Sequence, residues 1–370
     1  MSRSAGRANP LRVLYLLDSL NRGGVETLTL ATCQNAATVG IEAYVAGFGD
    51  GNFADAFHAL PRSFFHRRRA PFDPRLAGWL RRLIQTQAID LIHANQAVEA
   101  LHAWWARRGL PAKLVLTLHN LAYDAKNRRA LNFLLPRVDA VTVVSEAARS
   151  RHEADGMLRL DCAQRVAVIP NGVPDPARPA ASAADAPATG PILGMIANFT
   201  PIKDHATLCR ALPEVFQRRP TAQCVFVGAA QDERLYREAR AICARGGLLH
   251  RVHFWGARPA ADVLPKLDVF VLSSHSDTFG LALVEAMLAG VPCAASDIPA
   301  LREVTADGTA AALFRAGDSV DCARVLNQLL DDLPYRRTLA ARGQAHARRR
   351  YTLAAYLNRL RDFYDRVIAL

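Results

Sequence analysis

Two carboxylates eight positions apart, Asp277 and Glu285, bracket the stretch of this chain richest in chemistry. An apolar run ends in Ser273-Ser274-His275-Ser276-Asp277-Thr278-Phe279-Gly280, and a helix is predicted to open near Phe279-Gly280 and stop at Gly290, with Pro292 beyond it. The first N–H groups of a helix have no intrahelical partner, so this start is a ready anion site. Asp277 lies just before it. Glu285 lies one to two turns in, within Leu283-Val284-Glu285-Ala286-Met287, where a buried charge needs a partner.

A second group is Asn198-Phe199-Thr200-Pro201-Ile202-Lys203, at the mouth of a predicted strand and near the start of a helix. A lysine placed there is a good point charge for a departing diphosphate, and Asn198 can donate a hydrogen bond. Near the amino terminus, Gly23 and Gly24 precede a predicted helix and allow close backbone approach. His119 and His93 each follow an apolar run, in Thr117-Leu118-His119 and in Leu91-Ile92-His93, so both are expected at the carboxyl ends of strands.

The elements that must position these residues alternate. Strands are expected at 11–17, 41–48, 90–94, 114–118, 140–145 and 166–169, with a helix over 25–39 capped by Gly40. Beyond a Pro-, Ala- and Ser-rich linker at 173–191, strands are expected at 192–197, 223–228, 252–254, 267–273 and 291–296. Helices are expected at 204–216, 232–245, 280–289 and 351–370. This is an α/β chain with two Rossmann-like domains, 1–172 and 192–350, facing each other across a cleft lined by strand carboxyl ends. The terminal helix 351–370 is expected to pack back on the first domain.

The length, 370 residues, suits two domains. No apolar run is long enough for a transmembrane helix, and the polar start lacks the core of a signal peptide, so the chain is expected in the cytoplasm. The 7 cysteines are odd in number and show no C-x-x-C spacing, which points to reduced core residues and away from zinc. The net charge is +12, and residues 1–172 hold 22 basic against 14 acidic residues, or +8 of that excess.

The pair Asp277 and Glu285, in its strand–loop–helix–Gly-Val-Pro frame, resembles the Glu-x7-Glu motif of family 4 retaining glycosyltransferases of the GT-B fold. Asp277 stands where Glu is usual, Thr278 where Gly is common, and Asn198 where Arg is usual in a Gly-Arg-x5-Lys phosphate motif. The resemblance implies that Asp277 meets the transferred sugar and that Glu285 binds the ribose. It implies that the backbone of Thr278, Phe279 and Gly280, with Lys203, Gly23 and Gly24, borders the sugar and diphosphate. It places His119 near the reacting side of the sugar and His93 near the acceptor. Ser145 and Asn171-Gly172 match strand ends with hinge or cleft roles. Retention by same-face attack is implied, with the donor phosphate helping to deprotonate the acceptor, no cofactor and no metal.

The implied partners are a nucleotide-sugar donor and a glycan or lipid-linked acceptor. Three runs set arginines beside aromatics: Phe64–Arg69, Trp79–Arg82 and Trp104–Arg108. They suit an anionic membrane surface, on its cytoplasmic face, better than nucleic acid, whose motifs do not accompany them. A non-catalytic sugar-nucleotide-binding protein, a GT-B sugar-nucleotide epimerase and a Rossmann oxidoreductase are the rival readings. Transfer, epimerised product and nicotinamide binding, respectively, discriminate them.

Overall fold

The computed structural model describes residues 9–158, 165–175 and 190–370. The expected linker lies mostly outside the described residues, as do the first eight residues and Cys162. Two compact units form. One runs through Gly172 and takes back Leu353–Leu370; the other is Val173–Thr352.

The first unit carries β1 (Leu11–Leu17), β2 (Ile41–Gly47), β3 (Ser63–Phe65), β4 (Leu91–Ala94), β5 (Lys113–Leu118), β6 (Ala140–Val143) and β7 (Val166–Val168). Its helices are α1 (Gly24–Asn35), α2 (Ala54–His58), α3 (Pro74–Thr86), α4 (Ala97–Ala106), α5 (Ala125–Leu134) and α6 (Glu146–Ala154). All seven strands are parallel, in the order β3-β2-β1-β4-β5-β6-β7. The strand order therefore reverses between β1 and β4, and the loops after those two strands flank the crevice where such sheets bind ligands.

The second unit repeats the plan with β8 (Ile192–Ile196), β9 (Gln223–Val227), β10 (Val252–Phe254), β11 (Val269–Leu272), β12 (Cys293–Asp297) and β13 (Ala312–Arg315). Its helices are α7 (His205–Arg218), α8 (Glu233–Arg245), α9 (Ala260–Val263), α10 (Leu281–Leu288), α11 (Pro299–Val304), α12 (Ser319–Asp331) and α13 (Leu333–Arg350). The parallel order β10-β9-β8-β11-β12-β13 reverses between β8 and β11.

The last helix, α14 (Leu353–Ile368), belongs to the first unit. Leu353, Tyr356, Leu357, Leu360, Phe363, Tyr364 and Val367 recur at helical spacing and bury against Leu11, Val13, Tyr15, Leu91 and Val115 of the sheet. Burying seven such side chains contributes roughly 10–20 kcal/mol before conformational entropy is counted. Gly172 sits beneath this helix, where a Cβ would come within 2.4 Å of Tyr356 Cβ. Its small size thus serves packing against α14. Ser145, the other strand-end residue singled out, caps α6 by accepting from the Ala148 N–H at 3.0 Å.

Five of the six described cysteines are buried, and all six are free. Among the described residues no helix is long and apolar enough to cross a membrane.

Candidate active site

In the second unit the reversal point gathers Lys203, Asp277 and the start of α10. Backbone bonds lock the loop after β8 to the loop after β11: Asp204 N–H donates to Ser273 O at 3.1 Å and His275 N–H to Ile202 O at 2.9 Å. This brings the Lys203 ammonium into an ion pair with Asp277 Oδ2, with the two side chains only 17% and 10% exposed. The other oxygen, Asp277 Oδ1, accepts from the N–H groups of Thr278 at 2.9 Å and Phe279 at 3.3 Å. Two of the backbone donors expected to face ligand are therefore engaged by the neighbouring carboxylate. An ionised carboxylate accepts about four hydrogen bonds; three of those positions are filled here.

Gly280 holds φ +83°, the left-handed region, and a Cβ there would approach Leu301 Cδ2 to 2.6 Å. Conformation and space both demand glycine at this corner. It leads into α10 with no side-chain cap, so the helix presents its leading N–H groups uncapped. Phe279 is 2% exposed and packs edge-on against Tyr351, which anchors the loop.

Glu285 is half-buried on α10, between the buried Val284 and Ala286. Burial pushes its carboxyl up from 4.5 to about 7. Among the described residues nothing donates a hydrogen bond to it. Asn198 is committed differently from expectation: its Oδ1 accepts from the Ala229 N–H at 2.9 Å, tying the loop after β8 to the end of β9. Its NH₂ group is the part that can still donate to a ligand.

In the first unit Gly23 is the N-cap of α1 with extended backbone, and Gly24 opens the helix. His119 is half-buried, and burial lowers its pKa to about 4, so the ring is neutral at physiological pH. Its Nε2 lies 3.0 Å from Asn95 Oδ1. Asn95 Nδ2 donates to Leu16 O at 3.2 Å, which orients the amide and makes the Nε2–H form of His119 the donor to Oδ1. Nδ1 then carries the lone pair.

His93 is placed otherwise. It is 3% exposed, with Nδ1 bonded to the Tyr364 hydroxyl and Nε2 2.6 Å from Thr117 Oγ1. A buried polar chain runs Tyr15–Tyr364–His93–Thr117–Thr142, and it fixes α14 to the sheet. Both ring nitrogens of His93 are spent inside the core, which leaves neither for an acceptor.

Sequence reasoning missed Glu99. Its side chain is 0% exposed and accepts from the N–H groups of Asp18 at 2.8 Å, Asn95 at 2.6 Å and Gln96 at 3.1 Å. It stitches the loops after β1 and β4 together and so steadies Asn95 beneath His119. The signal that marked Glu285, a carboxylate inside an apolar helix, is equally present in Ala97-Val98-Glu99-Ala100-Leu101.

The three basic-aromatic runs also separate. Phe64 and Trp79 pack against the core of the first unit, whereas Trp105 remains 46% exposed.

Known proteins match these features along both units. A family model described as Glycosyl transferases group 1 matches residues 190–332, and one described as Glycosyltransferase Family 4 matches residues 22–175. A phosphatidyl-myo-inositol mannosyltransferase of Mycobacterium leprae is 28% identical over 310 residues, 81% of this chain and 79% of that one. A D-inositol 3-phosphate glycosyltransferase of Streptosporangium roseum is 28% identical over 327 residues, 80% and 75% of the two chains. Among solved structures, Anabaena HepE in complex with UDP and glucose superposes with a TM-score of 0.82 at 23% identity, over 96% of this chain and 99% of that one. The lipopolysaccharide outer core galactosyltransferase WaaB superposes with a TM-score of 0.72 at 16% identity, over 96% and 99%. The paired parallel sheets are those of the GT-B fold.

Proposed function

Because the chain belongs to glycosyltransferase family 4 and is a glycosyltransferase, we propose that it moves a sugar, with retention, from a nucleotide diphosphate sugar to a glycan or lipid-linked acceptor in cell-surface polysaccharide or glycolipid synthesis. The observation that carries this reading is the cluster at the β8/β11 reversal, where Lys203, Asp277 and the uncapped start of α10 converge. Lys203 and the leading N–H groups of α10 meet the charge that develops on the departing diphosphate. Glu285 accepts from the ribose hydroxyls, and Asp277 offers its one remaining acceptor position to a sugar hydroxyl. The names of the matched relatives and the UDP and glucose bound by HepE support such a donor.

Retention through a covalent intermediate requires a carboxylate free to attack the anomeric carbon. Asp277 is held by Lys203 and two backbone N–H groups, which blunts it as a nucleophile. Same-face attack fits better: the leaving diphosphate oxygen takes the acceptor proton, and the protein positions both substrates. The first unit holds the acceptor, with the Nδ1 lone pair of His119 accepting from a sugar hydroxyl. The enzyme works in the cytoplasm, at the inner face of the membrane that carries its acceptor.

A thermal-shift panel of nucleotide sugars tests the assignment. A true donor at about one hundred times its Kd adds about 2.7 kcal/mol of stability, and the same donor is consumed when acceptor is supplied. A panel with no shift and no turnover removes the reading. Since the diphosphate charge is assigned to Lys203 and α10, turnover is expected to be unchanged by EDTA. Loss of turnover that Mg²⁺ restores would transfer that load to a metal.

A further inference from the structure

The Phe64–Arg69 run holds one arginine that turns inward. Arg68 is half-buried between the exposed Arg67 and Arg69. It grips Asp18 at both carboxylate oxygens, Nε to Oδ1 at 2.8 Å and Nη2 to Oδ2 at 3.0 Å. Asp18 follows β1, beside the reversal point of the first sheet. The pair is still reached by solvent, with side chains 26% and 21% exposed, and it is not saturated. Arg68 fills two positions on Asp18 and gives one more N–H to Ala70 O at 3.0 Å. A carboxylate accepts about four hydrogen bonds and a guanidinium donates about five, so about two acceptor positions and two donors remain.

Helix α4 fixes the loops that carry this pair. Glu99 and His102 lie one turn apart on it, both 0% exposed. Glu99 accepts from the Asp18 N–H. His102 Nδ1 lies 2.7 Å from Val98 O, which makes it the protonated nitrogen, and Nε2 accepts from the Asp73 N–H at 2.9 Å. The loop after β1 and the loop after β3 are thus pinned to one helix, which preorganises the donors and acceptors of Asp18 and Arg68.

Charge at this end of the sheet is balanced. The loops that follow the seven strands (18–23, 48–53, 66–73, 95–96, 119–124, 144–145 and 169–172) hold four arginines, four aspartates and no lysine or glutamate, net zero in a half carrying +8. His119 among them is neutral at physiological pH. The start of α1 is not left to an anion either: a Cβ built at Gly23 would stand 2.5 Å from Glu26 Oε2, so a carboxylate of the first turn lies over it. Phosphate sites concentrate positive charge against the ligand; here it is cancelled. Asn21, Asn52, Asn95, Gln96 and Asn120 add side-chain amides, which pair with hydroxyls in both directions.

We infer, resting on the transfer proposed above, that the acceptor brings an uncharged sugar to the first unit, and that Asp18 and Arg68 select it by accepting from and donating to two neighbouring hydroxyls. A phosphate or carboxylate on that sugar would set its charge against Asp18 with no net positive charge to offset it.

Ligand-observed NMR of the full chain with methyl α-glucoside, methyl α-galactoside and methyl α-mannoside, each beside its 6-phosphate, tests this without catalysis. At least one neutral glycoside is expected to bind, and its phosphate to bind about tenfold more weakly or worse at low salt. Asp18→Asn keeps the backbone N–H that Glu99 holds, so the loop stays pinned. It should weaken the neutral glycoside about tenfold, trading charge-assisted hydrogen bonds for neutral ones, and narrow the preference over the phosphate. Arg68→Lys keeps the charge but loses the fork; it should weaken the neutral glycoside about fivefold and leave the preference over the phosphate in place. A phosphate that binds as tightly as its neutral counterpart, no binding of any neutral glycoside, or unchanged binding by both variants would overturn the inference. Transfer to a charged acceptor by a chain that binds none of the neutral glycosides would leave the proposed transfer standing and remove this selectivity; glycoside binding without transfer would do the reverse.

Discussion

Lys203→Ala is expected to lower kcat by about 10²–10³-fold, the usual consequence of removing one preorganised donor from a developing negative charge. The ion pair with Asp277 makes this substitution carry two effects, because the lysine also neutralises a carboxylate that is 10% exposed. Breaking such a pair leaves an uncompensated charge, so some stability is lost as well, on the order of 1–3 kcal/mol. The two effects separate in the double variant. Lys203→Ala with Asp277→Asn removes the orphaned charge, and the amide oxygen that replaces the carboxylate can still accept from the loop N–H groups. Thermal stability should recover toward that of the parent, and turnover should not. Near-parental turnover in Lys203→Ala would sink the assignment, and recovery of turnover alongside stability in the double variant would reduce the lysine to a structural role.

That pairing also marks where sequence legibility ends. The central strands β1, β4, β5, β6, β8, β9 and β11 were predictable because a strand buried on both faces reads as a largely apolar run, and the edge strands β7 and β10, only part-buried, because they are short apolar-bounded segments. β3 was not: Ser63-Phe64-Phe65 is three residues long, and beside Arg67-Arg68-Arg69 it looks like part of a basic surface. Helix α3 was hidden in the same way. Its stripe Leu76, Ala77, Leu80, Leu83 and Ile84 is buried while Arg81 and Arg82 lie beside it, and the charges mask the stripe. β13, Ala312-Leu313-Phe314-Arg315, follows two alanines and has little β-forming character; it exists because β12 offers it an edge.

Within the site, residue type and position were legible, and contacts were not. Lys203 and Asp277 are 74 residues apart. Their meeting depends on β8 and β11 being neighbours in the sheet, a fact of strand order that no local pattern encodes. The same holds for Asn198, whose oxygen is drawn to Ala229 at the end of β9, and for His93, whose partners come from β5 and α14. Asn198 follows β8 by two residues, and His93 sits inside β4. What a strand-end side chain then touches is decided by the next strand over and by the helix laid across it.

Glu285 is the residue for which the structure converts a position into a titration. Its carboxyl, raised by burial to about 7, is about half protonated in the free enzyme near neutral pH, and no group of the described residues hydrogen-bonds to it. Ribose hydroxyls would donate to the ionised form, so a donor binds best when the proton is gone. Below about pH 7 that proton must be expelled on binding. The donor KM is therefore expected to rise as pH falls, by up to about tenfold per unit, and to be flat above about pH 8. His119, at about 4, does not titrate in this window, and a diphosphate esterified at both ends does not either. Glu285→Gln should bind donor about tenfold more weakly, trading charge-assisted hydrogen bonds for neutral ones, and should lose the pH dependence. The sign for stability is opposite. The folded pKa exceeds the ordinary value of 4.5, so the folded state holds the extra proton between those values. This group's contribution is present below about pH 4.5 and declines as pH rises through 7. At alkaline pH, Glu285→Gln should thus raise Tm while weakening donor binding. A variant that keeps the parental pH dependence of KM would assign the titration to another group. One that loses stability would show that the carboxylate has a partner after all, and its readiness for ribose would then have to be given up.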